Sequence, residues 1–150
     1  MTVSFDLRFH GYDRVRGSEF QRRLLERLRS LPGFDGVALS NAIPLSIDVS
    51  TNVIYVEGEP LPPASQVPRA IIYRPSAGYF RAMQTAIVQG REFTDADRAD
   101  SPPVLVVNQT FVKQILRGRS AIGARVRLGP SGDPMEIVGG RRRRQIFIAW

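Results

Sequence analysis

Few side chains in this sequence could do chemistry, and their spacing assembles no recognised catalytic constellation. His10 is the only histidine, so a nucleophile–base relay has one candidate base and no evident partner. Neither Gly-x-Ser-x-Gly nor His-Glu-x-x-His occurs. Asp95, Asp97 and Asp100 bring carboxylates close together and could hold a cation. Their run, Asp-Ala-Asp-Arg-Ala-Asp, lacks the glycine and terminal glutamate of a calcium loop, and acidic solvated turns are common. Gly129-Pro130-Ser131-Gly132 has no following Lys-Ser/Thr, so it reads as a turn and not as a phosphate loop. Asn52, Tyr55 and Arg74 fall near strands where they could line a groove, although their spacing does not require it. Tyr79 and Phe80 read as core aromatics. No catalytic residue, metal ligand or cofactor-binding residue is therefore assigned, and no cofactor is expected. The chain reads as a binding or mechanical module and not as an enzyme.

Composition sets further bounds. A chain of 150 residues with 43% hydrophobic content can build one core or two small lobes. No window approaches ~18 uninterrupted apolar residues, so none is expected to span a membrane. The opening residues lack a basic segment followed by an apolar one, so no secretory signal is expected there. Cysteine is absent, which excludes disulfides and thiolate metal sites. The net charge is +7, and setting aside Arg141, Arg142, Arg143 and Arg144 leaves +3, unremarkable for a solvated surface. Lys113 is the only lysine; the arginine bias suits a GC-rich coding sequence better than a nucleic-acid groove.

These residues need elements to position them. Residues 3–9 alternate Val3, Phe5, Leu7 and Phe9 with polar residues, the pattern of a half-buried strand. A helix is predicted over 18–31, capped by Ser18 with Gln21 three residues on, burying Leu24 and Leu28 and ended by Pro32-Gly33. Residues 36–40 then form a strand and close a β–α–β unit. Strands are predicted at 52–57, 69–73 and 104–107, with a brief extended segment at Ile87-Val88. The prolines at 60, 62, 63 and 68 mark a loop. Short helices are predicted at 76–83, capped by Ser76 with Tyr79, Phe80 and Met83 inward, and at 109–116, capped by Asn108. Strands at 125–128 and 135–138 make a hairpin across the glycine-rich turn. The expected class is α+β: mixed sheets with short helices, β–α–β units packed as a small sandwich.

The ordered set of local motifs resembles the MacB-like periplasmic core domain of FtsX-like ABC-transporter permeases. The matching residues are Ser76-Ala77-Gly78-Tyr79-Phe80, Gly90-Arg91-Glu92-Phe93, Asp97, Val107-Asn108-Gln109, Ile122-Gly123 and Glu136-Ile137-Val138-Gly139. The resemblance covers most of the chain up to Gly139. It implies a non-catalytic extracytoplasmic domain, on the periplasmic face of the membrane in the intact protein, tethered between permease transmembrane helices. It also implies a cytoplasmic ATPase partner, whose hydrolysis is transmitted through those helices to the handling of a substrate or partner protein in export. No P-loop is present, so the chain alone is expected neither to transport nor to hydrolyse ATP.

After Gly139 the family pattern continues Val-Val-Gly-Asp-Val-Arg, where this chain reads Gly-Arg-Arg-Arg-Arg. A GC-rich coding of Val-Val-Gly-Asp-Val, read one nucleotide out of phase, encodes Gly-Arg-Arg-Arg-Arg. The expectation is a partial core domain over 1–139 and a basic, shifted-frame tail over 140–150. The last strand should then stop near Gly139, Arg141–Arg144 should be exposed or disordered, and Ile146-Phe147-Ile148 should have no docking site. Two other readings stay open. One is a free-standing soluble α+β binding protein; the other, resting only on the arginine run, is a nucleic-acid-binding module, although no nucleic-acid partner is expected.

Overall fold

A computed structural model describes residues 2–42, 51–98, 100–141 and 146–148. The class is α+β, as expected from the alternation of short strands and short helices. Seven described strands form one sheet: β1 (Thr51–Val56), β2 (Arg69–Tyr73), β3 (Ile87–Gly90), β4 (Val104–Asn108), β5 (Arg125–Leu128), β6 (Met135–Arg141) and β7 (Ile146–Ile148). Their order is β3-β6-β4-β7-β2-β1-β5, and a further β5–β6 pairing joins all but β3 into a ring. Antiparallel pairing dominates, while β4–β6 and β2–β7 are parallel.

The centre of the sheet is β4, and its sequence explains why. Val-Leu-Val-Val is β-branched and apolar at every position, the composition of a strand covered on both faces. Every residue of β4 is buried. Leu105 and Val107 enter a cluster with Ile54, Ile72, Phe111, Leu116, Val126 and Ile137. Val104 and Val106 face the other way, into a cluster with Tyr73, Tyr79, Phe80 and Phe93. Period-two alternation thus builds two half-cores on one strand.

Three helices are described: α1 (Arg14–Arg29), α2 (Tyr79–Ala82) and α3 (Gln109–Gln114). The predicted cap of α3 is in place, with the Asn108 side-chain oxygen accepting from the Phe111 N–H at 2.7 Å. The predicted hairpin is present too, with Arg125 opposite Glu136 and Val126 opposite Met135.

Other expectations are corrected. The helix predicted over 18–31 starts at Arg14, because Asp13 caps it by accepting from the Arg16 N–H at 2.8 Å; Ser18 instead donates its hydroxyl to the Arg14 carbonyl inside the helix. No residue of α1 is buried, so Leu24 and Leu28 are only half-buried. Residues 3–9 form no strand: they run as irregular chain into a 3-10 turn at Arg8–His10. Residues 36–40 contribute only an isolated bridge between Ser40 and Pro75. The helix predicted over 76–83 shrinks to α2, led by Gly78 at φ +80°, and Met83 is half exposed. The hydroxyl of Ser76 accepts from the Leu39 N–H instead of capping a helix.

The end of the chain departs most from expectation. β6 continues through Arg141, which is buried, and does not stop at Gly139. The backbone of Ile146–Ile148 pairs parallel to β2 and antiparallel to β4, so it does have a docking site. Period two accounts for the first result: Met135, Ile137, Gly139 and Arg141 are all buried, and the inward alternation simply runs on. Arg142, Arg143 and Arg144 lie outside the described residues, as does Pro44.

Candidate functional site

The most specific arrangement of side chains follows β2 and returns to β6. Gly78 turns the chain into α2, which drives Tyr79 and Phe80 inward. The Phe80 ring lies 5.6 Å from Tyr79, edge to face, and 5.8 Å from Phe93. The Arg141 guanidinium sits over the same ring, 5.7 Å from its centroid. A desolvated cation on an aromatic face is attracted by the ring quadrupole. Burial pushes the Tyr79 hydroxyl pKa up, and the positive charge of Arg141 works against that rise.

From α2 the chain passes through β3 to Gly90, where two constraints meet. Its φ is +71°, and a Cβ there would lie 2.1 Å from the Val138 carbonyl oxygen. Only glycine suits both. The tight approach lets the Arg91 N–H donate to the Val138 carbonyl and aims the next residues back over the sheet edge. There Arg91 grips Asp97 through two parallel bonds of 2.7 and 2.9 Å. The Thr94 N–H and hydroxyl donate to the same carboxylate. Arg91 and Thr94 together hold the Asp97 carboxyl below the usual carboxylate range.

Sequence reasoning treated Asp97 as a possible cation ligand; the structure commits both of its oxygens to this clasp. Asp95 is exposed and 3.7 Å from Arg29, and Asp100 is also exposed. Among the described residues no group of acidic or histidine side chains could hold a metal ion. His10 is exposed at the end of its 3-10 turn. Asn52 and Tyr55 are three positions apart on β1 and so point to opposite faces, while Arg74 lies beyond β2, its backbone bonded to Asn41. Those three do not line one groove. Gly129–Gly132 is the β5–β6 turn, with Gly129 at φ +86°.

Around the clasp lies an open groove of about 300 Å³, lined by Phe80, Arg81, Thr85, Ile87, Gly90, Arg91 and Glu92. Arg81 approaches Glu92 at 3.7 Å, so its rim charges are mutually balanced. From the other side, Arg29 of α1 donates to the Ala77 carbonyl at 2.7 Å and ties the C-terminal end of that helix to the turn before α2. The arrangement joins helix, loop and sheet edge into one unit suited to passing on displacement. Sequence reading missed the Arg91–Asp97 pair, whose signal was the spacing of the two charges across a glycine-led turn. It also missed Arg141, whose signal was its place in the inward alternation of β6.

Comparison with known proteins adds the context. The family model of the MacB-like periplasmic core domain matches residues 8–141. None of the curated proteins is a significant sequence match. The fold is similar to that of the periplasmic region of MacB from Actinobacillus actinomycetemcomitans, at 17% identity and a TM-score of 0.61, covering 86% of this chain and 53% of that one. It is also similar to the extracellular domain of the noncanonic ABC-type transporter YknZ from Gram-positive bacteria, at 18% identity and a TM-score of 0.60, covering 87% of this chain and 61% of that one. The chain thus spans between half and two thirds of the solved domains it matches.

Proposed function

Since the chain belongs to the family of MacB-like periplasmic core domains of ABC-transporter permeases, we propose that it acts as part of a non-catalytic extracytoplasmic domain that couples movement of permease helices to the handling of a substrate or partner in export. The observation that carries this is the family match over residues 8–141, which takes in the Ser76–Phe80 turn, the Arg91–Asp97 clasp and the whole of β4. The permease helices and the cytoplasmic ATPase are the partners of the intact protein, and the domain lies outside the cytoplasm. Among the described residues no helix is long and apolar enough to cross a membrane, so anchoring falls to segments of the intact permease. In this reading residues 1–139 supply the core-domain part and 140–150 a shifted-frame tail; the family match itself ends at Arg141, where the arginine run begins.

The test is the coding DNA across Gly139 and on both sides of the gene, followed by a phosphatase fusion at the proline-rich loop of the frame so defined. The expected result is an apolar segment of ~20 residues on each side, in whatever phase, and phosphatase activity outside the cytoplasm. Flanks without such segments would support a free-standing binding protein and overturn the proposal.

A further inference from the structure

The first third of the chain carries a pattern that its structure leaves incomplete. α1 runs for 16 residues without burying one. By contrast α2, with four residues, buries Tyr79 and Phe80, and α3, with six, buries Phe111. A helix in a folded domain draws most of its stability from a packed apolar face. The apolar side of α1 carries Phe20, Leu24, Leu25 and Leu28, all only half-buried, and Phe20 touches just the rings of Phe5 and Tyr12 among the described aromatic contacts. Past its end, Leu31 and Phe34 are exposed at 50% and 46%.

The segments flanking α1 tell the same story. Residues 3–9 have strict period-two alternation, yet Val3 and Phe9 are 71% and 87% exposed, and no ladder forms there among the described residues. Residues 36–40 use one edge only. Leu39 and Asn41 bond to residues 74–76, as the Ser76 N–H donates to the Leu39 carbonyl at 2.9 Å and the Asn41 N–H to the Arg74 carbonyl at 3.3 Å. In an extended chain the N–H and C=O of alternate residues point to opposite sides, so Ala38 and Ser40 present the other edge, where no described strand lies.

We infer that residues 2–42 are a β–α–β unit whose sheet is completed by strands outside this chain, and that the occupant is the remainder of a MacB-like extracytoplasmic domain. Coverage supplies the argument for that occupant: 86–87% of this chain superposes on solved domains, which retain 47% and 39% of their own length beyond the match. An incoming strand would pair with the Ala38–Ser40 edge by main-chain hydrogen bonds, and its apolar face would cover Leu24 and Leu28. An anionic membrane surface suits the face less well, because Arg22 and Arg23 are already engaged by Glu19 and Glu26. The inference rests on the family assignment but not on any coupling role, so its test reads folding alone and leaves the question of transport untouched.

The experiment is amide hydrogen exchange on the full chain, at several concentrations, and on a chimera that joins it to the portion of the Actinobacillus MacB periplasmic region that it does not span. A second chimera uses the corresponding portion of the YknZ domain. In the chain alone, residues 3–9 and 36–40 should exchange nearly as fast as unfolded peptide, while Val104–Val107 exchange slowest. In a chimera whose grafted portion is itself protected, residues 3–9, 24–28 and 36–40 should slow by about 100-fold or more. Protection in the chain alone equal to that of Val104–Val107 overturns the inference, as does a folded chimera with no added protection. Protection that grows with concentration would assign the face to a second copy, and would overturn it equally.

Discussion

Arg141 and Phe80 lie far apart in sequence, yet the guanidinium of one sits 5.7 Å from the ring centroid of the other, with both side chains buried. This contact joins the last residue of the family match to the aromatic group under α2. It also makes the C-terminal end of β6 part of the core.

Arg141→Ala should therefore destabilise the chain by about 1–3 kcal/mol, from the lost cation–π contact and the lost packing. Truncation at Gly139 should cost at least as much. Chemical denaturation is the measurement; a change within about 0.5 kcal/mol for both would show that Arg141 is not seated as described.

The Arg91–Asp97 clasp should give the chain a pH-dependent component of stability. Asp97 has a depressed pKa when folded, so its contribution is fully present above the ordinary carboxylate value of about 3.9 and is lost as pH falls through the lower, folded value. Asp97→Asn should cost about 1–2 kcal/mol at pH 7, since the bonds lost are charge-assisted. That cost should shrink as the pH is taken below about 4. A cost that stays constant from pH 7 to pH 2.5 would mean the carboxylate charge plays no part.

Two glycines separate backbone strain from collision. At Gly129, φ is +86° and a Cβ would meet nothing within 4 Å, so Gly129→Ala should cost only the conformational penalty of about 1–2 kcal/mol. At Gly90 the added Cβ also runs into the Val138 carbonyl, so Gly90→Ala should cost clearly more, about 3 kcal/mol or above. Equal midpoint shifts for the two variants in urea would refute the tight approach at Gly90.

Leucine truncations should rank by burial. Leu105 is 1% exposed in the central strand, so Leu105→Ala should cost about 2–5 kcal/mol. Leu24→Ala and Leu28→Ala, on the half-covered face of α1, should cost less than about 1 kcal/mol in this chain. A loss at Leu24 matching that at Leu105 would show that α1 is already packed into the core.

No ATPase or hydrolase turnover is expected of the isolated chain, since the sequence holds neither a P-loop nor a nucleophile paired with a base. The check is a steady-state assay with His10→Ala and Asp97→Ala as controls. Turnover above blank that disappears in either variant would falsify the non-catalytic reading.

What the sequence alone determined lies within short reach along the chain. The α+β class, β4, the Asn108 cap and the β5–β6 hairpin were legible because each depends on residues a few positions apart: an apolar run, a side-chain oxygen three residues before its N–H, a glycine-rich turn. The family resemblance was legible for the same reason, since its motifs are turns and caps in a fixed order. Tertiary structure alone decided the rest. Whether the alternation at 3–9 becomes a strand depends on a neighbour to pair with, and here no described strand lies beside it. Whether Asp97 binds a cation or an arginine depends on where Gly90 sends the chain. Whether Arg141 meets solvent or an aromatic ring depends on how far the parallel pairing of β4 and β6 extends. A charge run read locally is a solvated surface, because unpaired burial is costly; only the folded chain, by placing Phe80 beneath that strand, supplies a partner that lets an arginine be buried.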